Sequence, residues 1–312
     1  MPTDKKPREV VIIGAGPAGL SAAIYTTRED IDTLVFERGV IGGLAAVTDK
    51  IDNYPGFADG VEGLMLSDQL KKQAERFGAE IELGVVTAIH DHGELKKLTT
   101  TSGDIYTKVV LIATGSDYKK VGVPGEDTYY ARGVHYCATC DGAFYRNVPV
   151  CVIGGGDTAT EEAIFLTRFA SEVFLIHRRD TLRATKIMVE RALNNPKIKP
   201  IWSTAVSRYI PDQRGEIEAV ELRNVETGAF SNLAVKCVFV AIGHTPNTGP
   251  FKGKIEMDAN GYLIKRKGTQ TSLPGVFAAG DVADPFYRQA VTAAGQGCAA
   301  AMEVERYLTD LE

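Results

Sequence analysis

Cys137-Ala138-Thr139-Cys140-Asp141 is where this 312-residue chain gathers residue types able to do redox chemistry. Two cysteines at this spacing can open and close a disulfide, with the thiolate as the attacking species. Asp141, beside Cys140, offers a carboxyl that could protonate a departing thiolate, though a helix-capping aspartate would look the same. Three readings of the pair stand side by side. A structural zinc site needs a second ligand pair, and the chain has no second Cys-x-x-Cys or His pair. A thioredoxin-like domain sets its dithiol in another βαβ context, without adjoining dinucleotide motifs. The third reading is a redox disulfide served by a flavin.

Two glycine-rich turns flank the dithiol and favour the third reading. Gly14-Ala15-Gly16-Pro17-Ala18-Gly19 follows the apolar run Val10 to Ile13, and Gly154-Gly155-Gly156-Asp157-Thr158-Ala159 follows Val150 to Ile153. A glycine turn between strand and helix brings a helix N-terminus close to a pyrophosphate. In each case a second apolar run closes 23 residues after the first glycine, at Glu37 in one and at His177, with Arg178 and Arg179 behind it, in the other. A carboxylate there accepts the hydroxyls of an adenosine ribose, whereas arginines (Arg183 follows close by) suit a 2′-phosphate. The first site therefore reads as FAD or NAD and the second as NADP. The whole suggests a short path from nicotinamide to flavin to disulfide.

The elements that must position these groups repeat as well. Strand, glycine turn and helix open at Val10 and again at Val148. The first unit runs to Ala113-Thr114-Gly115 and the second to Val238 through Ile242-Gly243, each a strand ending on a glycine. A helix is expected over Leu64 to Phe77 with Gly78 as its stop. Strands are expected over Ala79 to Ile89, Leu95 to Thr101 and Val109 to Ala113. From Phe251 onward the chain leaves the second unit. It carries a further strand-to-glycine run, Gly275 to Gly280-Asp281, and a closing helix over Gln289 to Leu308. One domain interrupted by another is implied, with crossings near Asp117 to Gly122 and His244 to Thr248 that could serve as a hinge.

Bulk properties exclude more than they select. Hydrophobic residues make up 44% and charged residues 24%, ordinary for a globular protein, and a net charge of -5 leaves no basic footprint for nucleic acid. Lys5, Lys6 and Arg8 before Val10 to Tyr25 imitate a secretory signal, but dinucleotide-spaced glycines interrupt that run. No apolar run approaches the ~20 residues of a membrane span, so a cytoplasmic location is expected. Five cysteines argue against a disulfide framework. Cys151, Cys237 and Cys298 read as small core residues.

Taken in order, Gly14 to Gly19, Asn53-Tyr54-Pro55-Gly56, Cys137 to Gly142, Gly154 to Ala159, His177-Arg178-Arg179-Asp180, Ala241 to Asn247, Gly280-Asp281-Val282 and Arg288-Gln289-Ala290 mark a resemblance. Over essentially its whole length the chain resembles the low-molecular-weight, bacterial-type NADPH-dependent thioredoxin reductases. The glutathione reductase-like relatives of that family place the dithiol near the N-terminus instead.

The resemblance implies an α/β fold of two Rossmann-like dinucleotide-binding domains. The NADPH domain, residues 119–246 with the dithiol, would be inserted into an FAD domain made of 1–118 and 247–312. It implies that Cys140 faces the flavin, that Cys137 is the interchange thiol and that Asp141 is the acid–base group. FAD would be held by the first turn (Gly14, Gly16, Pro17, Ala18, Gly19), by Glu37 to Leu44 including Arg38, Gly42 and Gly43, and by Asn53. Ala113, Thr114, Gly115 and Gly280, with Asp281 through Arg288, Gln289 and Ala290, would complete that site. NADPH would be held by Gly154, Gly156, Asp157, Thr158, Ala159, His177, Arg178, Arg179, Arg183, Ile242 and Gly243. No metal is called for. The resemblance further implies a homodimer, oxidised thioredoxin as substrate and an inserted domain that rotates.

Two residues depart from the family pattern. Leu44 stands where a glutamine is common beside the flavin, and His135 stands where a small polar residue is usual. A charged histidine there could lower a thiol pKa, but an exposed spectator is the expectation. Two alternatives to thioredoxin reduction remain: the same chemistry on another disulfide carrier, and a non-catalytic nucleotide-binding or electron-carrier subunit. The carrier reductases with an N-terminal thioredoxin-fold extension are disfavoured by a first strand starting at Val10. A dithiol oxidase would leave His177-Arg178-Arg179 without a use.

Overall fold

The computed structural model describes residues 6–48 and 50–311; Lys5 of the charged N-terminal run lies outside them. The chain divides into two compact units, one formed by Met1–Asp117 with Thr245–Glu312 and the other by Tyr118–His244.

In the first unit, β1 (Arg8–Ile13) leads through the glycine turn into α1 (Pro17–Arg28) and on to β2 (Thr33–Glu37). Pro17 at the helix start gives up an N–H that would have no helical partner anyway. After α2 (Gly63–Arg76) come β3 (Glu80–Leu83), β4 (Val86–His92), β5 (Leu95–Thr100) and β6 (Gly103–Ile112). The sheet order is β3-β2-β1-β6-β5-β4, and a returning strand, Val276–Ala278, pairs with β6. On one side β6 pairs in parallel with β1, and on the other it is shared between two strands. Its first half pairs antiparallel with β5, while Val110–Ile112 take the returning strand in parallel register, Phe277 opposite Leu111.

The sheet is covered on both faces, so its central strands are continuously apolar rather than alternating. Val10, Ile12, Val35, Val109, Leu111 and Phe277 pack on the side of α1 and the C-terminal helix Ala290–Thr309. Val11, Ile13, Leu34, Phe36, Val110 and Ile112 pack on the other side, with Phe251, Ile255 and Val282. Small residues let the two helices approach closely. A Cβ on Gly297 would collide with the backbone carbonyl of Ala18, so filling that position should cost about 1–3 kcal/mol. No helix among the described residues is long and apolar enough to cross a membrane.

One expected strand proves to be two. The stretch Ala79 to Ile89 breaks at Gly84 and Val85, and its halves, β3 and β4, go to opposite edges of the sheet. Gly84 donates its N–H to the carbonyl of Glu37 and Val85 accepts from Thr101, which peels the chain from one edge to the other. Apolar periodicity carries no record of such a break. The strand expected from Val109 in fact begins at Gly103.

The second unit contains β7 (Val134–His135), the single-turn α3 (Ala138–Asp141), β8 (Pro149–Ile153), α4 (Asp157–Leu166), β9 (Glu172–Ile176), α5 (Lys186–Leu193) and β10 (Ile198–Ile201). An antiparallel meander follows, made of β11 (Thr204–Pro211), β12 (Ile217–Asn224) and β13 (Phe230–Ala234), before β14 (Cys237–Val240) returns to the parallel sheet. The parallel order is β7-β14-β8-β9-β10. Cys151 in β8 and Cys237 in β14 are fully buried, and burial pushes both thiols up. Cys298 departs from the expected core role. It lies between buried Gly297 and exposed Ala299, is half-buried, and meets the Tyr25 hydroxyl.

Candidate functional site

The first glycine turn is shaped by close approach. Gly14 has φ 106°, and a side chain there would run into the carbonyl of Ala113. A Cβ on Gly19 would overlap the carbonyl oxygen of Gly14, so that glycine lets α1 sit down on the turn. Gly16, the residue that caps α1, faces open space, its nearest such contact being the Gly42 carbonyl oxygen at 4.0 Å. The free N–H groups of Ala18 and Gly19 at the helix start suit an anion.

Glu37 ends β2 in a buried position. Its Oε2 accepts the Ala15 N–H and its Oε1 the Gly39 N–H, both at 2.8 Å, which fixes the carboxylate and leaves each oxygen a lone pair for a hydroxyl donor. Arg38, next along, is exposed and its guanidinium meets Asp117 at 3.0 Å. Gly42 donates to the Ala15 carbonyl at 2.7 Å, and both Gly42 and Gly43 have positive φ. Leu44 is half-buried in the short turn that follows, its carbonyl accepting the Thr48 hydroxyl at 2.9 Å.

Residues far apart in sequence meet in this unit. Asn53 Nδ2 donates to Gln289 Oε1 at 3.1 Å, and Gln289 caps the helix that Ala290 opens. Arg288, just before, sits in the left-handed region with φ 49°. Thr114 and Asn247 are tied together, the Thr114 hydroxyl donating to the Asn247 carbonyl at 2.8 Å and Asn247 Nδ2 to the Thr114 carbonyl at 3.0 Å. Gly115 accepts the Asn247 N–H at 3.0 Å. Gln296, absent from the expected site, accepts the Gly280 N–H at 3.0 Å and donates to Asp284 at 2.7 Å. Asp281 has no hydrogen bond to its carboxyl among the described residues. Burial first, then the nearby Asp284, pushes it up to about 6 against the pull of Arg288. An acid so buried, with no hydrogen-bond donor on its carboxyl among the described residues, fits a hydroxyl-bearing group.

The second turn repeats the first. A Cβ on Gly154 would collide with the Ala241 carbonyl and lie 2.6 Å from the Ala159 side chain. Gly156 caps α4 and faces open space. Asp157 is partly committed elsewhere. Its Oδ1 accepts the N–H and hydroxyl of Thr185 at 2.8 and 2.9 Å, fastening the start of α4, where Thr158 and Ala159 follow, to the cap of α5. His177 is buried, and its ring occupies the place where a Cβ on Gly155 would be. Burial first, then Arg183, Arg179 and Arg178, push the imidazole down, and its Nε2 has no partner. The three arginines are exposed and take part in no ion pair among the described residues. The Arg183 N–H donates to the Gly155 carbonyl at 2.6 Å. Ile242 is exposed after β14, and Gly243 has φ 103°. An orphan imidazole nitrogen and three uncommitted cations fit a phosphorylated ribose.

Between the turns, Cys137 and Cys140 form a disulfide with Cα atoms 5.3 Å apart. Cys137 caps α3, and its carbonyl accepts the N–H groups of Cys140 at 3.3 Å and Asp141 at 3.1 Å. Asp141 ends α3 and makes no side-chain cap. Its Oδ2 lies 3.0 Å from Nδ1 of His135 instead.

His135 is therefore no exposed spectator. It is 7% exposed, because β7 pairs with β14 (His135 opposite Phe239) and its ring packs between Phe239 and Tyr145. Its Nε2 is 2.7 Å from the Tyr145 hydroxyl, a phenol pushed up by burial and then by its contact with Cys237. Neither Tyr145 nor Cys237 carries a motif, so only the fold brings them to this cluster. Among the described residues no group of three or more His, Cys, Asp or Glu could hold a metal ion.

Comparison with known proteins gives the family. The model of the pyridine nucleotide-disulphide oxidoreductase family matches residues 8–297. A thioredoxin reductase of Streptomyces coelicolor is 50% identical over 307 residues, 97% of this chain and 95% of that protein. A bifunctional thioredoxin reductase/thioredoxin of Mycobacterium leprae is 47% identical over 97% of this chain and 66% of its own length. The crystal structure of the thioredoxin reductase of Streptococcus pyogenes superposes with a TM-score of 0.92 at 41% identity, covering 97% of this chain and 98% of that one.

Proposed function

The chain belongs to the pyridine nucleotide-disulphide oxidoreductases, among the thioredoxin reductases, and from that premise we propose the route of its electrons and the residues that carry them. NADPH is the donor, FAD the relay, the Cys137–Cys140 disulfide the first acceptor and oxidised thioredoxin the last. The observation that carries the reading is the closed Cys137–Cys140 disulfide with a carboxylate held beside it, in the unit whose glycine turn ends among free arginines. The Streptomyces relative is by name a thioredoxin reductase, and the Mycobacterium relative is by name also a thioredoxin.

FAD would lie on the first turn, with Glu37 on its ribose and Asp281 and Asn53 near the rest. NADPH would lie on the second, with Arg178, Arg179 and Arg183 on its 2′-phosphate. When bound, FAD takes the hydride of NADPH and hands two electrons to a disulfide. The chain's own residues do the rest. Cys140 opens the disulfide on the flavin side. Cys137, as thiolate, attacks one sulfur of the partner disulfide and releases the other as a thiolate. Cys140 then attacks Cys137 Sγ, which frees the partner's second thiolate and restores the Cys137–Cys140 bond. Asp141 holds and delivers the proton that a departing sulfur needs. Thioredoxin, at about −270 mV, is a demanding acceptor, so the dithiol must be poised at least as low. The working form is proposed as a cytoplasmic homodimer, as the family resemblance implies.

The test is NADPH oxidation by the FAD-loaded enzyme on adding oxidised thioredoxin, beside Cys140→Ser. Turnover in the parent and none in the variant is expected. Flavin bleaching by NADPH without turnover would remove thioredoxin as the partner and leave other disulfide carriers.

A further inference from the structure

Asp141 is the acid–base group of the proposed function, and any role for the side chains around it rests on that reading. The carboxylate is not held by its own turn. The His135 ring is the side chain that holds it, through Nδ1 at 3.0 Å from Oδ2. The ring is in turn held on every side. It lies with its centroid 5.6 Å from that of Phe239 and 5.4 Å from that of Tyr145, and its Nε2 is 2.7 Å from the Tyr145 hydroxyl. The buried Cys237 thiol is the next group that the Tyr145 hydroxyl feels. A line of four side chains, Asp141, His135, Tyr145 and Cys237, thus runs from the dithiol turn down into the sheet. The thiol–disulfide exchange uses the first of them and leaves the other three without a part.

We propose that His135 is a positioning residue for Asp141, its Nδ1–H holding Oδ2 so that Oδ1 is the oxygen that exchanges a proton with the dithiol. The reason lies in what each oxygen can do. Nδ1 faces a carboxylate oxygen and so donates to it. Oδ2 accepts that bond whether or not Oδ1 carries a proton, so the carboxyl keeps one orientation through the cycle. An exposed aspartate would have to be reordered at each proton transfer, whereas one clamped by a ring locked at both nitrogens would not. The groups facing the ring are Asp141 from α3, Tyr145 from the following turn and Phe239 from β14, with the Cys237 thiol beyond Tyr145. Tyr130 and Glu216 are the further ionisable groups felt by this cluster.

The experiment compares the FAD-loaded parent with His135→Phe, His135→Asn, Asp141→Asn and the double variant His135→Phe/Asp141→Asn. Two readouts are taken across pH: thioredoxin turnover, and the alkylation rate of the NADPH-reduced dithiol followed with thiolate absorbance. For His135→Phe we expect kcat about tenfold lower with KM unchanged, and both pH profiles differing from the parental ones. The side-chain amide of His135→Asn can stand where Nδ1 stood and should restore most of the rate and the parental profile. The double variant should be no slower than Asp141→Asn alone. A His135→Phe profile that overlays the parent, a loss that asparagine does not rescue, or a double variant slower than Asp141→Asn would each overturn the proposal. Parental turnover by Asp141→Asn would overturn the acid–base reading itself, a result separable from the others because His135 is intact in that variant.

Discussion

Gly14 donates its N–H to the carbonyl of Phe36 at 2.7 Å, and in the second unit Gly154 donates to Ile176 at 3.1 Å. Each glycine lies under the carbonyl that ends a neighbouring strand, Ala113 in one unit and Ala241 in the other. From there the two part. In the first unit the next residue is Ala15, whose N–H is caught by the buried Glu37 carboxylate. In the second it is Gly155, and the flat His177 ring lies against it, leaving no room for a Cβ. One turn ends in a fixed anion bound to backbone, the other in a buried ring beside three exposed cations. The lesson is that the backbone of the turn is shared, while the residue 23 positions on decides what the turn can contain and, in the proposed function, which ribose it would take.

The sharpest way to break this contrast is to remove the cations. In an Arg178→Ser/Arg179→Ser variant, NADPH binding should weaken about a hundredfold, since each charge-assisted hydrogen bond is worth about 1.5–3 kcal/mol. NADH, which has no 2′-phosphate, should change by less than about threefold. The check is the Kd of each nucleotide by flavin fluorescence. Equal losses for both would mean that the arginines are only a solvated face.

A smaller effect sharpens the structural half of the contrast. Gly155→Ala should lower the stability of the urea-induced transition by about 2 kcal/mol by driving a methyl group into the His177 ring. In a His177→Ala background most of that penalty should vanish, as a double-mutant cycle would register. The same penalty in both backgrounds would show that backbone conformation, not the ring, selects glycine here.

Much of this site can be read before folding because its parts are local. A strand, a glycine turn and a helix occupy some twenty residues of continuous chain, and Glu37 or the arginines fall at the strand end by simple counting. What escapes the sequence is non-local. Arg38 meets Asp117, which lies 79 residues on, and no local pattern announces that pair. Asp157 sits in the second turn, but its Oδ1 is occupied by Thr185. His135 looks solvent-facing beside a reactive motif. Its burial depends on β14 returning from a meander about a hundred residues later. The split of Ala79 to Ile89 has the same cause, since it is decided by the bond Gly84 donates to the Glu37 carbonyl and the one Val85 accepts from Thr101.

The two units should also answer pH in opposite senses, through Asp281 and His177. Asp281 is pushed from an ordinary 3.8 to about 6, chiefly by burial. Between those values the folded flavin-free protein keeps a proton that the unfolded chain has lost, so stability falls as pH rises through that window and stays lower above it. His177 is pushed below its ordinary 6.5, again chiefly by burial. The unfolded chain then takes a proton that the folded state refuses, and stability is lost as pH falls below 6.5. Asp281→Asn should therefore leave flavin-free stability unchanged at about pH 4 and raise it by on the order of 1 kcal/mol at about pH 7.5, allowing for solvent screening. Loaded with FAD, the variant should lose that advantage, because hydroxyl donors would satisfy the carboxylate but not an amide in the same way. Urea midpoints at the two pH values, with and without flavin, measure all four states. A gain that persists with FAD bound would mean that Asp281 is a buried burden of the fold and not a group set aside for the cofactor.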